Sequence, residues 1–269
     1  MNTGREGLSG QGLTIDTALA TGGGTSTTSP GATEEYSGFA WTTTGTMNTG
    51  RSFMGSAGIQ TAAVVFGGTR FNPPASAPGG TEEYNGSTWT AGNVMTRSPA
   101  MRGIAGSGTQ TAAIGTGGFP VTNTDSEEYD GTSWTAGNTT NTARRNATQS
   151  GPSAGALLGA GFYTNNTESY DGTSWTTTPA VNTHATGEYA NSRNNSTSLI
   201  LTFGDDDANS IYDGTTWVTA AALGTPRPRL GGAGTATSAL AFGGPGSSIA
   251  TEEFTGETSA LNYKTITTS

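Results

Sequence analysis

The chain has 269 residues, of which 32% are hydrophobic, 12% are charged and 43 are glycine, with a formal net charge of −9 and no cysteine. The acidic balance leaves no basic stripe for nucleic acid or an anionic membrane surface, and the missing cysteines exclude a disulfide scaffold and a thiolate metal site. No apolar run is long enough for a membrane-spanning helix, so no membrane insertion is expected.

In chain order, Met1-Asn-Thr-Gly-Arg5 comes first, and MNTGREGLSG lacks the apolar stretch of a signal peptide. Met47-Asn-Thr-Gly-Arg51 repeats it, which marks the phrase as a linker between like units. The first unit has the apolar run Thr17 to Gly24 and then TEEYSGFAW, Thr33 to Trp41. The second has Arg51 before a small-residue run, TAAVVFGG from Thr61 to Gly68, a loop over Arg70 to Gly80, and TEEYNGSTW from Thr81 to Trp89. The third has Arg97 and Arg102, TAAIGTGG from Thr111 to Gly118, and SEEYDGTSW from Ser126 to Trp134. The fourth has Arg144 and Arg145, GALLGAG from Gly155 to Gly161, and TESYDGTSW from Thr167 to Trp175. The fifth has LILTFGD from Leu199 to Asp205 and NSIYDGTTW from Asn209 to Trp217. The sixth has Arg227 and Arg229, SALAFGG from Ser238 to Gly244, and TEEFTGETS from Thr251. There Phe254 replaces the tyrosine and the tryptophan is missing, with Leu261 or Tyr263 in its place.

Successive tyrosines lie 48, 45, 41 and 42 residues apart, and Tyr212 to Phe254 is again 42. That period is the length of a four-stranded propeller blade. The segments are short, rich in β-branched or aromatic residues, and bounded by turn residues. Asp-Gly or Asn-Gly between the third and fourth strands predicts a tight hairpin. No window sustains a 3.6-residue apolar period, so almost no helix is expected. The expected fold is all-β: one domain over 1–269, a propeller of four antiparallel strands per blade. Six blades are favoured over seven, at roughly 1–46, 47–94, 95–139, 140–180, 181–222 and 223–269.

The apolar run closing in Gly-Gly, followed by a loop and then Tyr and Trp at fixed spacing, resembles the kelch-repeat family over essentially the whole chain. The resemblance implies a six-bladed kelch-type propeller. The wording Thr-Glu-Glu-Tyr-Asp-Gly-Thr-Ser-Trp, with Thr-Ala-Gly-Asn after it, is also similar to kelch-like structural proteins of marine bacteriophages. The fourth and fifth copies depart from the pattern, with Gly159-Ala160-Gly161 and Gly204-Asp205 for the paired glycine.

A residue that every unit keeps is needed by every unit, and one that a single unit carries is the better functional candidate. By that rule Tyr36/Trp41, Tyr84/Trp89, Tyr129/Trp134, Tyr170/Trp175 and Tyr212/Trp217 are core, each burying an aromatic face between blades with its polar atom on a backbone partner. The paired acids Glu34/Glu35, Glu82/Glu83, Glu127/Glu128 and Glu252/Glu253 look like catalytic carboxylates. Neighbouring strand residues point to opposite faces, so one acid is expected in solvent and the other on an arginine: Arg5, Arg51, Arg97 or Arg102, Arg144 or Arg145, Arg193, and Arg227 or Arg229. The only histidine, His184, supports neither a metal site nor a triad and is read as an exposed linker residue. No cofactor is expected. Asp205, Asp207 and Asn209 have oxygen-ligand spacing that would suit calcium, against a plain solvated turn.

The loops between second and third strands differ most between units, and variable loops on a rigid scaffold are where recognition sits. Binding candidates there are Arg70, Phe71, Phe119, Phe162, Tyr163 and Asp206, the apolar ones either exposed to a ligand or tucked under the loops. These readings give a non-enzymatic binding or structural module, in the virion or otherwise extracellular. The expectation is a tail-associated phage protein contacting other virion proteins or a host-surface receptor or glycan, and able to form a homo-oligomer. A secreted or surface lectin-like propeller is the alternative, with a sialidase-like glycoside hydrolase behind it. The hydrolase lacks the right Asp-box spacing, since Asp130-Gly131 is contiguous.

Overall fold

The computed structural model describes the chain except residues 26–27, 70–79, 98–101, 120–122, 163, 182–188, 192–199, 204–208, 247, 256–262 and 266–269. For strands Tyr189–Asn191, Ile200–Phe203 and Tyr263–Thr265 only the backbone is described. The strands form six four-stranded antiparallel sheets, each made of four consecutive strands in simple meander order. The only helix among the described residues is one 3-10 turn, Ser153–Gly155. The innermost strands are β1 (Ser9–Thr14), β5 (Gly55–Ile59), β9 (Ala105–Thr109), β13 (Thr148–Ser150), β17 (Tyr189–Asn191) and β21 (Gly231–Thr235). Each touches the next in chain order, and β1 touches β21, so the sheets stand radially around one axis as a β-propeller.

The sequence explains this arrangement. The inner strands are rich in glycine and serine because their backbones nearly meet at the axis: a Cβ on Gly10 would lie 2.2 Å from the Gly232 carbonyl oxygen. The second strands, such as Ala62–Phe66, are almost wholly buried, as expected for a strand covered on both faces. Between sheets, Trp134 packs on Tyr129 at 4.9 Å and meets Phe66 of the preceding sheet edge-on at 4.7 Å. Such pairs bury large apolar faces in a favoured geometry. The Gly-Gly pairs after the second strands of the first, second, third and sixth sheets turn the chain through positive φ, and in the fourth sheet Ala160 does so at 44°.

One expectation is sharpened here and another corrected. The tight hairpin expected at Asp-Gly is present, but Asp130 opens the turn instead of sitting at its centre. Tyr129 faces Trp134 across a four-residue loop, with the Asp130 N–H bonded to the Ser133 carbonyl. The Asp130 carboxylate accepts the N–H groups of Thr132 and Ser133 at 2.8 and 2.7 Å, and these bonds hold it below the usual carboxylate range. Asn85 caps the second sheet's loop in the same way. The polar tips of the core aromatics also bond mainly to side chains of the preceding sheet rather than to backbone. Trp89 Nε1 donates to Thr33 Oγ1, and Trp134 Nε1 to Thr81 Oγ1. Trp175, Trp217 and Tyr36 also use carbonyls, those of Asn138, Pro179 and Gly38.

Candidate functional site: an arginine-aromatic patch at the axial mouth

The repeated charges come first, because they show what is left over. The first acid of each pair is buried and takes the linker arginine of its own sheet: Arg5–Glu34 and Arg51–Glu82 at 2.7 Å, Arg97–Glu127 at 2.8 Å, and Arg144–Glu168 and Arg227–Glu252. The same carboxylate accepts linker N–H groups: Asn48 and Thr49 bond Glu82 at 2.7 and 3.0 Å. The Asn48 side chain reaches the Trp89 carbonyl. The phrase Met-Asn-Thr-Gly-Arg is therefore a clamp that fixes the linker to the third and fourth strands.

The second acid is not simply a solvent-facing residue, which corrects the sequence expectation. It accepts the tyrosine hydroxyl of the next sheet: Tyr84 to Glu35 and Tyr129 to Glu83 at 2.7 Å, and Tyr170 to Glu128. Burial, with the neighbouring carboxylates adding to it, pushes the Tyr36 and Tyr84 hydroxyls up to about 12; for Tyr84 the bond with Thr44 opposes the rise. No carboxylate pair is left over for acid-base chemistry in this motif.

Above these clamps, the last linker residues form a belt around the axis. Gly7 N donates to the Arg229 carbonyl at 2.9 Å, Phe53 N to Gly7 at 2.8 Å, Gly103 N to Phe53 at 2.7 Å and Asn146 N to Gly103 at 2.7 Å. All five residues are left-handed, with φ of 62°, 53°, 65°, 50° and 58° at Gly7, Phe53, Gly103, Asn146 and Arg229. Three of them carry side chains, a strained choice that marks a constrained or functional position. Their bulk is accommodated by the glycines between: a Cβ on Gly103 would meet Asn146 Oδ1 at 2.0 Å, and one on Gly7 would meet the Phe53 ring at 2.9 Å.

The loops between second and third strands lie over this belt. Phe119 pairs by a backbone bridge with Arg102, and Phe162 N donates to the Arg145 carbonyl at 2.9 Å. The side chains then stack in a row. The Arg102 guanidinium lies 4.7 Å from the Phe119 ring centre, and Arg145 lies 5.0 Å from Phe119 and 4.4 Å from Phe162. Stacking against a ring face holds a guanidinium flat and leaves its N–H edge free to donate. Farther round, Arg229 sits 6.0 Å from Phe53 and pairs with Glu6 at 3.2 Å.

Of the six binding candidates, Phe119 and Phe162 are thus brought together by a shared arginine. Arg70, Phe71, Tyr163 and Asp206 lie outside the described residues, as do Arg193, His184, Asp205 and Asp207. Asn209 is in strand Asn209–Tyr212, and its amide donates to the Ala221 carbonyl at 2.6 Å. No cluster of three or more metal-ligating side chains occurs among the described residues. The sequence offers Arg102 and Arg145 only as alternative partners for the acids. One arginine per clamp suffices, and the surplus arginine of the third and fourth units was the signal for this patch. A cavity of about 250 Å³ lies at the ends of inner strands β5 and β9, lined by residues including Leu13, Ile59, Gln110 and Thr111, with no titratable group among the described residues of its wall.

No protein-family model matches the sequence, and no curated protein does. Among solved structures the chain is similar to one described as the structure of YjhT, with a TM-score of 0.75, 16% identity, and 97% of each chain covered. That likeness is one of fold, and it supports the β-propeller.

Proposed function

We propose that this chain is a six-bladed, kelch-type propeller that acts as a non-enzymatic binding module, with the axial face of linkers and second-to-third-strand loops as its contact surface. One observation carries the reading. Among the described residues, every repeated charge is consumed by a structural bond within or between sheets, and the guanidiniums that remain sit together on that face, at Arg102 and Arg145. Six sheets, each from one sequence repeat, support the kelch-type part. The resemblance of the repeats to phage structural proteins supports a place on the virion, in contact with a host surface or another virion protein, and the lack of a free carboxylate pair in the repeat supports binding rather than turnover.

The experiment compares two surfaces. Purified protein is probed against a glycan array and against intact particles and host cells, with Phe162→Ser on the axial face and Thr173→Arg in the opposite turn as variants. Loss of binding with the first alone supports the reading. Equal loss with both, or turnover of glycoside substrates that depends on a loop carboxylate, overturns it.

A further inference from the structure

We propose that the Arg102–Phe119–Arg145–Phe162 row is an oxyanion site that binds an acidic polysaccharide through its isolated carboxylate or sulfate groups. The inference rests on the binding-module reading above and adds to it the chemical class of the ligand.

The argument begins with what the two arginines lack. Eight of the chain's arginines are described, and six of them, Arg5, Arg51, Arg97, Arg144, Arg227 and Arg229, have a carboxylate partner. Arg102 and Arg145 make no ion pair among the described residues, in a chain that carries nine more negative than positive charges. Acids outnumber bases, yet these two cations are held apart from them and next to each other, against one phenylalanine ring. Two like charges sharing a ring repel. An anion bridging them removes that cost, which makes the site better satisfied when occupied.

The rings define which part of the arginine the ligand meets. Phe119 is engaged by both guanidiniums and Phe162 by one, so these rings act as supports for the arginines rather than as free platforms for a sugar face. What remains available is the planar N–H fork, whose spacing matches two oxygens of a carboxylate or sulfate. Arg102 is exposed while Arg145, Phe119 and Phe162 are half-buried, so the row is open on one side and backed on the other.

The surroundings choose between polyanions. Among the described residues of these two loops, Asn123, Thr124, Thr164, Asn165 and Asn166 are neutral donors and acceptors, suited to hydroxyls, and Asp125 is the one acid. A ligand charged at every unit, such as nucleic acid, would face the acidic remainder of the chain. A polymer with separated acid groups among hydroxyl-bearing sugars fits both the cationic pair and a rim that is neutral but for Asp125.

The test measures binding of hyaluronan, whose carboxylates alternate with neutral sugars, kappa-carrageenan, whose sulfates do the same, neutral dextran and polyglutamate to the purified full chain by biolayer interferometry. It compares wild type with R102Q, R145Q and the double variant, and the thermal midpoint of each confirms folding. The expected result is binding of hyaluronan, kappa-carrageenan or both, at least tenfold weakened in the folded double variant and weakened by raised salt; which polymer binds identifies the acid group. R102K, which keeps charge without the fork, loses part of the affinity. Binding of neutral dextran equal to that of the acidic polymers, stronger binding of polyglutamate, unchanged binding in the double variant, or no binding of either acidic polysaccharide overturns the proposal. The glycan-array and particle experiment can still succeed through another ligand, so failure here does not remove the binding-module reading.

Discussion

The Arg144–Glu168 clamp is the clearest place to perturb the architecture. Both side chains are fully buried, and the guanidinium also donates to the carbonyls of Thr142, Ala160 and Asn166 at 3.2, 3.2 and 2.6 Å. Burial pushes the Arg144 pKa below its ordinary value, and Glu168 opposes that shift. Arg144→Met leaves a buried carboxylate without its cation, which costs about 3–5 kcal/mol. Replacing both charges by apolar groups is often neutral in other buried pairs. Here it is not, because Glu168 also accepts the N–H groups of Asn141 and Thr142 at 2.6 and 3.1 Å. Arg144→Met with Glu168→Leu orphans those two donors, at about 1–3 kcal/mol each. The double variant should therefore remain about 2–4 kcal/mol below wild type, combining that donor penalty with the relief of the buried charges. Urea unfolding of the wild type, two singles and the double, followed by tryptophan fluorescence, measures this directly. A double variant as stable as wild type would falsify the idea that the carboxylate anchors the linker.

Three further outcomes follow from the contacts between sheets. Trp134→Ala removes an indole packed on Tyr129 and Phe66 and strands Thr81, so denaturant unfolding should show a loss of roughly 3–5 kcal/mol; a variant that keeps its stability and loses only binding would contradict the structural role. The raised hydroxyls of Tyr36 and Tyr84, at about 12, imply stability fully present below the unfolded tyrosine value of about 10 and lost as pH climbs from there through 12. Thermal midpoints between pH 9 and 12 should fall in that window, and a flat profile refutes the assignment. Phe254→Tyr places a hydroxyl in the cluster that holds Ile211, costing about 1–3 kcal/mol, and Ile211→Glu in the same chain should recover part of the loss. If the second change deepens the loss instead, the two residues do not face each other as the other sheets' Glu and Tyr do.

Much of the fold was legible because each sheet is spelled by one repeat. The Tyr/Trp spacing, the paired glycines and the 41–48-residue period led to four-stranded sheets in meander order. The partners of the repeated residues were less legible. Alternation along Thr-Glu-Glu-Tyr correctly separates the two acids onto opposite faces, but a face that looks like solvent in one sheet is the contact surface of the next. Glu83 therefore meets Tyr129 from another repeat, 46 residues on. A single strand's pattern carries no information about its neighbour across the interface. The tight turn was legible in Asp130-Gly131 but its length was not: the Asp130 side chain bonds Thr132 and Ser133 and stabilises a four-residue loop.

The exceptions to the repeat are more informative than its copies. Where the fifth sheet carries Ser210 and Ile211 in place of the two acids, the following sheet carries Phe254 in place of the hydroxyl-bearing tyrosine, and Ile211 and Phe254 share one apolar cluster. Where the fourth sheet has Ser169 for the second acid, Tyr212 of the fifth is left without a carboxylate partner among the hydrogen bonds its counterparts make. Changes at a structural position are thus matched or absorbed across the interface it serves. Arg102 and Arg145 follow no such pattern: among the described residues no acid pairs with them, and the change that accompanies them is a phenylalanine in the overlying loop of each sheet, Phe119 and Phe162. A cation matched by a ring that orients it, and not by a charge that neutralises it, is arranged for a partner outside the chain.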